Sequence, residues 1–289
     1  MPHPELKDEN FLPITAYEFQ IPGVKSYLGK LCHMNFYAME EENDVLPILD
    51  SSSYTAPKDR EHIQRILAEG KYQGEDQYLP YCPVSVNRAI QAAKENGFIV
   101  CYNHPRWSNE TIFDYIQYEG FSGFEVFNNN SWVSRGSVNN EWNMEGYDTL
   151  LKMGRRVLPY FTDDSHNPDI GNGAYCSAFG GFLMVEAQKL EYASVMNAIK
   201  NGKFYASQAP EIYELYIEDN KLCVSTPGAR EIKFITAGRL AARYAAEEGE
   251  TINYGEFELK REIGFVRVEV IDKTGKVATT RGFFEDELI

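Results

Sequence analysis

The sequence is poor in cysteine, and its cysteines are not paired. The five residues are widely spaced, odd in number and never arranged as CxxC, namely Cys32, Cys82, Cys101, Cys176 and Cys223. This pattern indicates neither a disulfide framework nor a cysteine zinc site, and it favours a reducing compartment.

Long apolar runs are also missing. No stretch approaches 18 consecutive apolar residues, and the N-terminus, MPHPELKDENF, has no basic segment followed by an apolar run. These absences argue against a membrane span and a signal peptide. We therefore expect a cytoplasmic protein that does not insert into a membrane.

Basic residues are scarce relative to acidic ones. The chain has 28 Lys plus Arg against 43 Asp plus Glu, which gives a formal net charge of -15. That charge opposes binding to the phosphate backbone of a long nucleic acid duplex. A small phosphorylated substrate remains compatible with it, because bound metal ions can reverse the sign of the local field.

The sequence has neither a glycine-rich phosphate-binding loop nor the nucleophile elbow of a serine hydrolase. There is no GxxxxGK[ST] or GxGxxG loop, which argues against nucleotide binding by a P-loop or Rossmann mechanism. There is no GxSxG elbow either, which disfavours a serine hydrolase. Metal-assisted hydrolysis is the chemistry for which candidate residues remain.

The hydrophobic pattern that is present predicts an α/β protein. Amphipathic helical patterns at 84–97 and 190–202 each end at a glycine. Buried strands ending in polar residues are predicted at 30–39, 97–105, 120–129 and 155–166. This alternation favours βα units with a parallel sheet, whose strand ends would carry the polar side chains of His104, Asn128, Asp164 and His166.

The pattern changes near residue 211. Short alternating strands with turns at Asp219-Asn220 and Thr274-Gly275 follow, with one helical stretch at 239–248. We expect two domains, one over 1–210 and a small β-rich, sandwich-like module over 211–289.

Five residues are candidate metal ligands. Asp164 and His166 are two apart and would point to the same side of a strand. Pro105 would hold His104 in an extended conformation at a strand end, and Glu18 and His33 supply a further carboxylate and imidazole. Each residue alone also fits a structural role: a turn cap for Asp164, a hydrogen-bonded histidine for His104, core for His33 and surface for Glu18.

Taken in order, these residues resemble a known family. The set resembles the PHP (polymerase and histidinol phosphatase) superfamily over about residues 14–210, on Glu18, His33, the NHP of 103–105, the EVFN of 125–128 and the DSH of 164–166. The segment AIKNGKFYAS at 198–207, followed by AP and a β module, is similar to a branch of predicted metal-dependent phosphoesterases.

The resemblance implies a distorted (β/α)7 barrel and a divalent metal site. In that site Glu18 would bridge zinc, manganese or iron ions. Asn128 would line the pocket, and Glu125 would lie further from the metal. The implied metal ligands are Glu18, His33, His104, Asp164 and His166.

The chain departs from the family at its start. It lacks the HxH strand, the following aspartate and the TDH-like strand that supply further ligands in the family. The barrel would therefore be incomplete at its N-terminus, and the number of metal ions is left open. The chain is then either a fragment of a longer protein or has a reduced metal site. A fragment is favoured, because an open barrel exposes strand edges and apolar surface.

The expected activity is hydrolysis of a small phosphate monoester or diester by a metal-activated water. Glu18 and Asp164 would serve the metal chemistry. Arg106 would clamp the phosphate, with Arg135 as a second arginine. A surface ion pair is the alternative role for either arginine.

Two other functions fit the same sequence. A degenerate barrel that lacks part of the metal site would bind a ligand without turnover. Alternatively, Tyr and Phe residues of the β module would contact a carbohydrate or another protein. The substrate and the oligomeric state are left open by the sequence.

Overall fold

The structure is a computed structural model that describes residues 3–23, 29–54, 57–133, 141–166 and 176–288. The chain divides into two compact units. The first comprises 1–124 and 187–201, and the second comprises 125–186 and 202–289. Each unit therefore consists of two separate stretches of the chain, and the boundary between residues 124 and 125 falls within a strand.

The described elements alternate in the first two thirds of the chain and are almost all strands afterwards. The strands are β1 Ala16–Ile21, β2 Cys32–Ala38, β3 Phe98–Asn103, β4 Gly123–Asn128, β5 Leu158–Thr162, β6 Phe182–Val185, β7 Phe204–Ser207, β8 Glu214–Glu218, β9 Lys221–Ala229, β10 Glu231–Thr236, β11 Ala241–Ala245, β12 Ile252–Glu258, β13 Phe265–Ile271, β14 Val277–Thr280 and β15 Phe283–Phe284. The helices are α1 Pro57–Glu69, α2 Pro83–Glu95, α3 Ile112–Tyr115, α4 Asn129–Val133, α5 Met144–Lys152, α6 Tyr192–Lys200 and α7 Glu285–Leu288. Short 3-10 helices lie at Pro4–Leu6 and Ser51–Ser53.

The sheet of the first unit contains both parallel and antiparallel pairs. β3 and β4 are parallel, with Cys101 opposite Gly123 and Tyr102 opposite Phe124. β1 and β2 are antiparallel, and so are β2 and β3. The expected parallel arrangement is therefore wrong for β2 and β3, which correspond to the predicted strands at 30–39 and 97–105. The ten residues that join β1 to β2 are fewer than a parallel crossover normally needs, which accounts for the antiparallel pairing of those two strands.

The antiparallel pairing of β1, β2 and β3 determines which residues lie beside Glu18 and His33. Glu18 lies opposite Asn35, and His33, the second residue of β2, lies opposite Asn103, the last residue of β3. The beginning of β2 is thus beside the end of β3. His33 therefore lies near the start of its strand, beside the residue that precedes His104.

Helices bury their apolar faces in the first unit as their sequence patterns predict. α2 buries Val86, Ala89, Ile90 and Ala93. In α6, Tyr192 and Met196 pack with Ile99 of β3. Both predicted glycine stops are confirmed in position, because Gly97 and Gly202 have positive φ angles of 81° and 66°.

The second unit contains the separate β-rich region. A sheet runs in the order β11-β10-β13-β14-β7-β6, with β15 paired to β13, and a three-stranded sheet runs β12-β9-β8. Their core includes Val224, Ile232, Phe234, Val268 and Val270, all fully buried. The β-rich region predicted from the sequence is confirmed, and strands β6 and β7, which precede residue 211, belong to its larger sheet.

One predicted helix is a strand. The stretch 239–248 was expected to be helical, yet 241–245 form β11. Ile232 of β10 lies opposite Tyr244, and Phe234 lies opposite Ala242. Pairing with a buried neighbouring strand overrides the local helix preference of alanine.

A buried arginine joins α5 to β13 inside the second unit. Arg267 is 2% exposed, and its guanidinium donates to both carboxylate oxygens of Asp148 at 2.7 and 2.9 Å and to Glu269 at 2.7 Å. Burial of an arginine is tolerated here because its charge is paired.

Within the part of the chain that the structure describes, every helix is too short or too polar to cross a membrane.

Candidate metal centre

Three strands of the first unit bring together a carboxylate and two imidazoles. Phe19 and Phe36 stack with ring centroids 5.5 Å apart, so β1 and β2 are anchored on their buried face. Side chains alternate along a strand, and Glu18 and His33 therefore emerge on the other face. His104 follows directly after β3 and completes the group.

The ligand atoms of these residues are close enough for one metal ion. One atom from each of Glu18, His33 and His104 lies within 4.8 Å of the other two. The Oε1 atom of Glu18 is 3.1 Å from Nδ1 of His33 and 3.3 Å from Nε2 of His104. Ligand atoms about 2.1 Å from a tetrahedral zinc ion lie about 3.4 Å from each other. The spacing fits such an ion.

The cluster is reached from solvent through its carboxylate. The Glu18 side chain is 38% exposed, whereas the His33 side chain is 14% exposed and that of His104 only 4%. A metal ion held here would keep a side open to water while its imidazole ligands stay shielded. Such an open position distinguishes catalytic from structural zinc sites.

The electrostatics of the cluster favour an ionised carboxylate. Burial acts to raise the pKa of Glu18, but the neighbouring His104 and His33 outweigh it and hold that pKa well below its usual range. A carboxylate that stays ionised at neutral pH is ready to bind a divalent cation.

His33 provides the test of whether the residues suit a metal. Its Nδ1 atom is buried and has no hydrogen bond of acceptable geometry, although Oε1 of Glu18 is only 3.1 Å away. A buried nitrogen without a hydrogen bond is costly. A divalent ion between the nitrogen and the carboxylate would satisfy both, so the donor set fits zinc, manganese or iron.

Neighbouring polar groups orient the ligands. Nδ1 of His104 lies 3.2 Å from the hydroxyl of Ser108, which leaves Nε2 to face Glu18. The amide of Asn103 donates to Oε1 of Glu18 at 3.1 Å. Such contacts fix the tautomer and the direction of metal ligands. Sequence analysis gave Asn103 and Ser108 no role, although their closeness to His104 along the chain could have suggested one.

Trp107 packs against both imidazoles. Its ring lies 5.8 Å from that of His33 and 5.0 Å from that of His104, between centroids. Trp107 is 40% exposed, and the neighbouring Arg106 is exposed as well. Arg106, the predicted phosphate clamp, is therefore on the surface two residues from a ligand of the cluster.

Two predicted ligands have an unusual backbone, and the extended conformation expected for His104 before Pro105 is wrong. His104 has a φ of 22° and Asp164 a φ of 43°, both in the left-handed region that side chains other than glycine rarely adopt. Strained positions of this kind are concentrated at functional sites.

Other predicted site residues form a polar cluster in the second unit. Asn128 is fully buried, and its amide donates to Asp164 at 3.1 Å and to Glu125 at 3.3 Å. Glu125 is 2% exposed and also accepts a hydrogen bond from Thr162. The end of β4 and the end of β5 thus share one hydrogen-bonded network.

His166 is exposed at the end of this network. Its Nδ1 atom is 2.9 Å from the backbone oxygen of Asp164 and 3.6 Å from the carboxylate of the same residue. Asp164 and His166 belong to the second unit, so their participation in the metal centre remains a prediction. Arg135 lies outside the described residues.

Comparison with known proteins gives one likeness. No family model and no curated protein match the chain. A solved two-domain protein from Bacteroides vulgatus, described as containing a predicted PHP-like metal-dependent phosphoesterase, is 14% identical, with 93% of this chain and 74% of that chain covered and a TM-score of 0.37. Similarity this low carries no inference about this chain.

Proposed function

We propose that this chain is a metal-dependent phosphoesterase whose metal centre includes Glu18, His33 and His104. The observation that supports the proposal most is the convergence of these side chains, with the buried Nδ1 of His33 lying 3.1 Å from Oε1 of Glu18. The substrate class is a small phosphate monoester or diester, and the metal is zinc, manganese or iron.

Each residue has a distinct part in this proposal. Glu18 carries the negative charge that binds the cation, and its exposed side leaves room for substrate. His33 and His104 are neutral ligands held by their surroundings. Arg106 offers a planar guanidinium for two phosphoryl oxygens. A bound divalent ion would supply hydroxide from water and neutralise the developing charge on phosphorus oxygens.

Asp164 and His166 are also proposed as metal ligands. Asn128 donates a hydrogen bond to Asp164 and another to Glu125, so these residues would orient the Asp164 carboxylate. The finer architecture proposed with this function is a distorted (β/α)7 barrel over 1–210, followed by the β-rich module at 211–289. Arg135 is proposed as a second phosphate contact.

The proposal is tested by comparing the phosphatase activity of the wild type with that of two variants, His33→Ala and His62→Ala. The wild type, reconstituted with Zn²⁺, Mn²⁺ or Fe²⁺, is assayed on p-nitrophenyl phosphate and bis-p-nitrophenyl phosphate. We expect activity with at least one metal, and a loss of about a hundredfold or more in His33→Ala, because removal of a ligand displaces the metal that activates water. His62→Ala, which removes an exposed histidine outside the cluster, should keep the wild-type rate.

A second function would follow from the same cluster if the missing HxH ligands are essential. The chain would then bind a phosphorylated ligand and one metal without turnover. Isothermal titration that shows binding of a nucleotide or sugar phosphate, with no hydrolysis under any metal, would favour this function over the enzyme. Equal hydrolysis by wild type and His33→Ala would contradict the metal-centred account.

A further inference from the structure

A buried carboxylate surrounded by tyrosines lies close to the metal cluster. Glu110 is 3% exposed, and three tyrosine hydroxyls donate to it. Tyr81 and Tyr118 donate to Oε1 at 2.8 and 2.5 Å, and Tyr102 donates to Oε2 at 2.6 Å. These four residues are called here the Glu110 cluster. Nothing in the proposed chemistry uses them directly.

The Glu110 cluster closes the loop that begins with His104. The backbone N–H of Glu110 donates to the oxygen of Pro105 at 2.8 Å, and the N–H of Ser108 donates to the oxygen of His104 at 3.0 Å. Tyr102 precedes His104 by two residues in β3. The Tyr102 hydrogen bond therefore ties the end of the loop back to the strand that starts it.

The same loop also holds the second imidazole. The oxygen of Ser108 accepts a hydrogen bond from the N–H of Leu31 at 3.3 Å, and Leu31 leads directly into β2 and His33. The Ser108 hydroxyl contacts the His104 ring. A loop fixed at Glu110 thus holds the two histidines in their mutual arrangement.

Strain in the loop explains why such fixing is needed. His104 has a φ of 22° and Asn109 a φ of 57°. Residues other than glycine stay in this region only where the surrounding structure holds them there. Without the three hydrogen bonds at Glu110, the loop would relax toward ordinary backbone angles and turn the His104 ring away from Glu18.

We propose that Glu110 is the positioning residue for the metal centre, acting through the 104–110 loop on His104. This inference rests on the proposed function, because it requires that Glu18, His33 and His104 bind metal. It adds a role for a residue that does not contact the metal or the substrate.

Cobalt binding provides the test. Co²⁺ is titrated into metal-free wild type and Glu110→Gln, and both the affinity and the visible d–d spectrum are recorded. We expect Glu110→Gln to bind Co²⁺ about tenfold or more weakly, in line with the usual effect of altering groups that support metal ligands. Its bands should also shift in energy and intensity, since the geometry around the ion changes.

Asp50→Asn is the matched control. Asp50 is a fully buried carboxylate of the same unit that also accepts three hydrogen bonds, from the N–H and hydroxyl of Ser52 and from the N–H of Leu79. It makes no such contact with the 104–110 loop among the hydrogen bonds described. Asp50→Asn should lose stability yet keep the wild-type affinity and spectrum, which separates positioning from general destabilisation.

Tyr81→Phe covers the case in which Glu110→Gln does not fold. Tyr81 is only partly buried, and its loss removes one of the three hydrogen bonds. We expect weaker Co²⁺ binding with a shifted spectrum. Wild-type affinity and spectrum in the folded Glu110→Gln or Tyr81→Phe variant would overturn this inference alone, whereas a wild type that binds no Co²⁺ would overturn the proposed function as well.

Discussion

At the scale of single residues, burial and pairing decide which titratable groups are unusual. Glu18 and Glu110 are both carboxylates in the first unit, yet their pKa values move in opposite directions. Two imidazoles hold the pKa of Glu18 low. Burial raises the pKa of Glu110 from the usual 4.5 to about 7, because three tyrosine donors only partly replace water.

The raised pKa predicts how stability depends on pH. The groups that face Glu110 are Tyr81, Tyr102 and Tyr118, with Cys32 and Asp114 nearby. Because the pKa is higher in the folded than in the unfolded chain, the contribution of Glu110 to stability is full below pH 4.5 and falls as pH rises to 7. The difference amounts to about 3 kcal/mol.

Urea unfolding of wild type and Glu110→Gln from pH 4 to pH 8 measures that contribution. Other titrating groups cancel in the comparison of the two proteins. The free energy of unfolding of the wild type should fall relative to the variant across the window from 4.5 to 7, then level off. A difference that does not change with pH would show that Glu110 keeps an ordinary pKa.

At the scale of elements, a close approach between β5 and the start of β6 makes a glycine necessary. A Cβ atom on Gly181 would lie 2.6 Å from the oxygen and 2.9 Å from the nitrogen of Thr162. Both are backbone atoms, so no change of side-chain rotamer can relieve the overlap. Thr162 also hydrogen-bonds Glu125, so this contact borders the polar network of the second unit.

Gly181→Ala should therefore destabilise the protein by about 1–3 kcal/mol, the usual range for overpacking. Gly238→Ala is the control, because a Cβ atom there meets nothing within 4 Å. Thermal unfolding of the two variants and the wild type gives the comparison. Equal melting temperatures for both variants would mean that β5 and β6 can move apart freely.

Local sequence patterns predicted the elements better than their pairing. The helices α2 and α6, with their glycine stops, follow from apolar spacing. The antiparallel direction of β2 and β3 does not, because side chains alternate along a strand in the same way in parallel and antiparallel pairs. The same limit explains β11, whose alanines take the conformation of the strand beside them.

The candidate site was also only partly predictable, because the sequence shows residue types but not the contacts made through tertiary packing. A carboxylate and two histidines at strand positions are visible in the sequence, and the structure brings Glu18, His33 and His104 within ligand distance. The Glu110 cluster was not predictable, because Tyr81, Tyr102 and Tyr118 meet only through tertiary packing. Asp164 and His166 remain predicted ligands.

At the scale of the whole molecule, an acidic chain with net charge -15 would bind a negatively charged phosphate ester only where positive charge is concentrated. A divalent ion on Glu18, His33 and His104 would provide that charge, with Arg106 exposed nearby in sequence. The proposed activity therefore depends on a metal ion bound at these three residues.

Metal content is measured by inductively coupled plasma mass spectrometry on tag-free protein purified without chelator. We expect at least one equivalent of zinc, manganese or iron in the wild type and a clear loss in Glu18→Gln, which removes the charge but keeps the shape. Metal-free wild type that also fails to take up any of these ions on dialysis would show that Glu18, His33 and His104 do not form a metal centre.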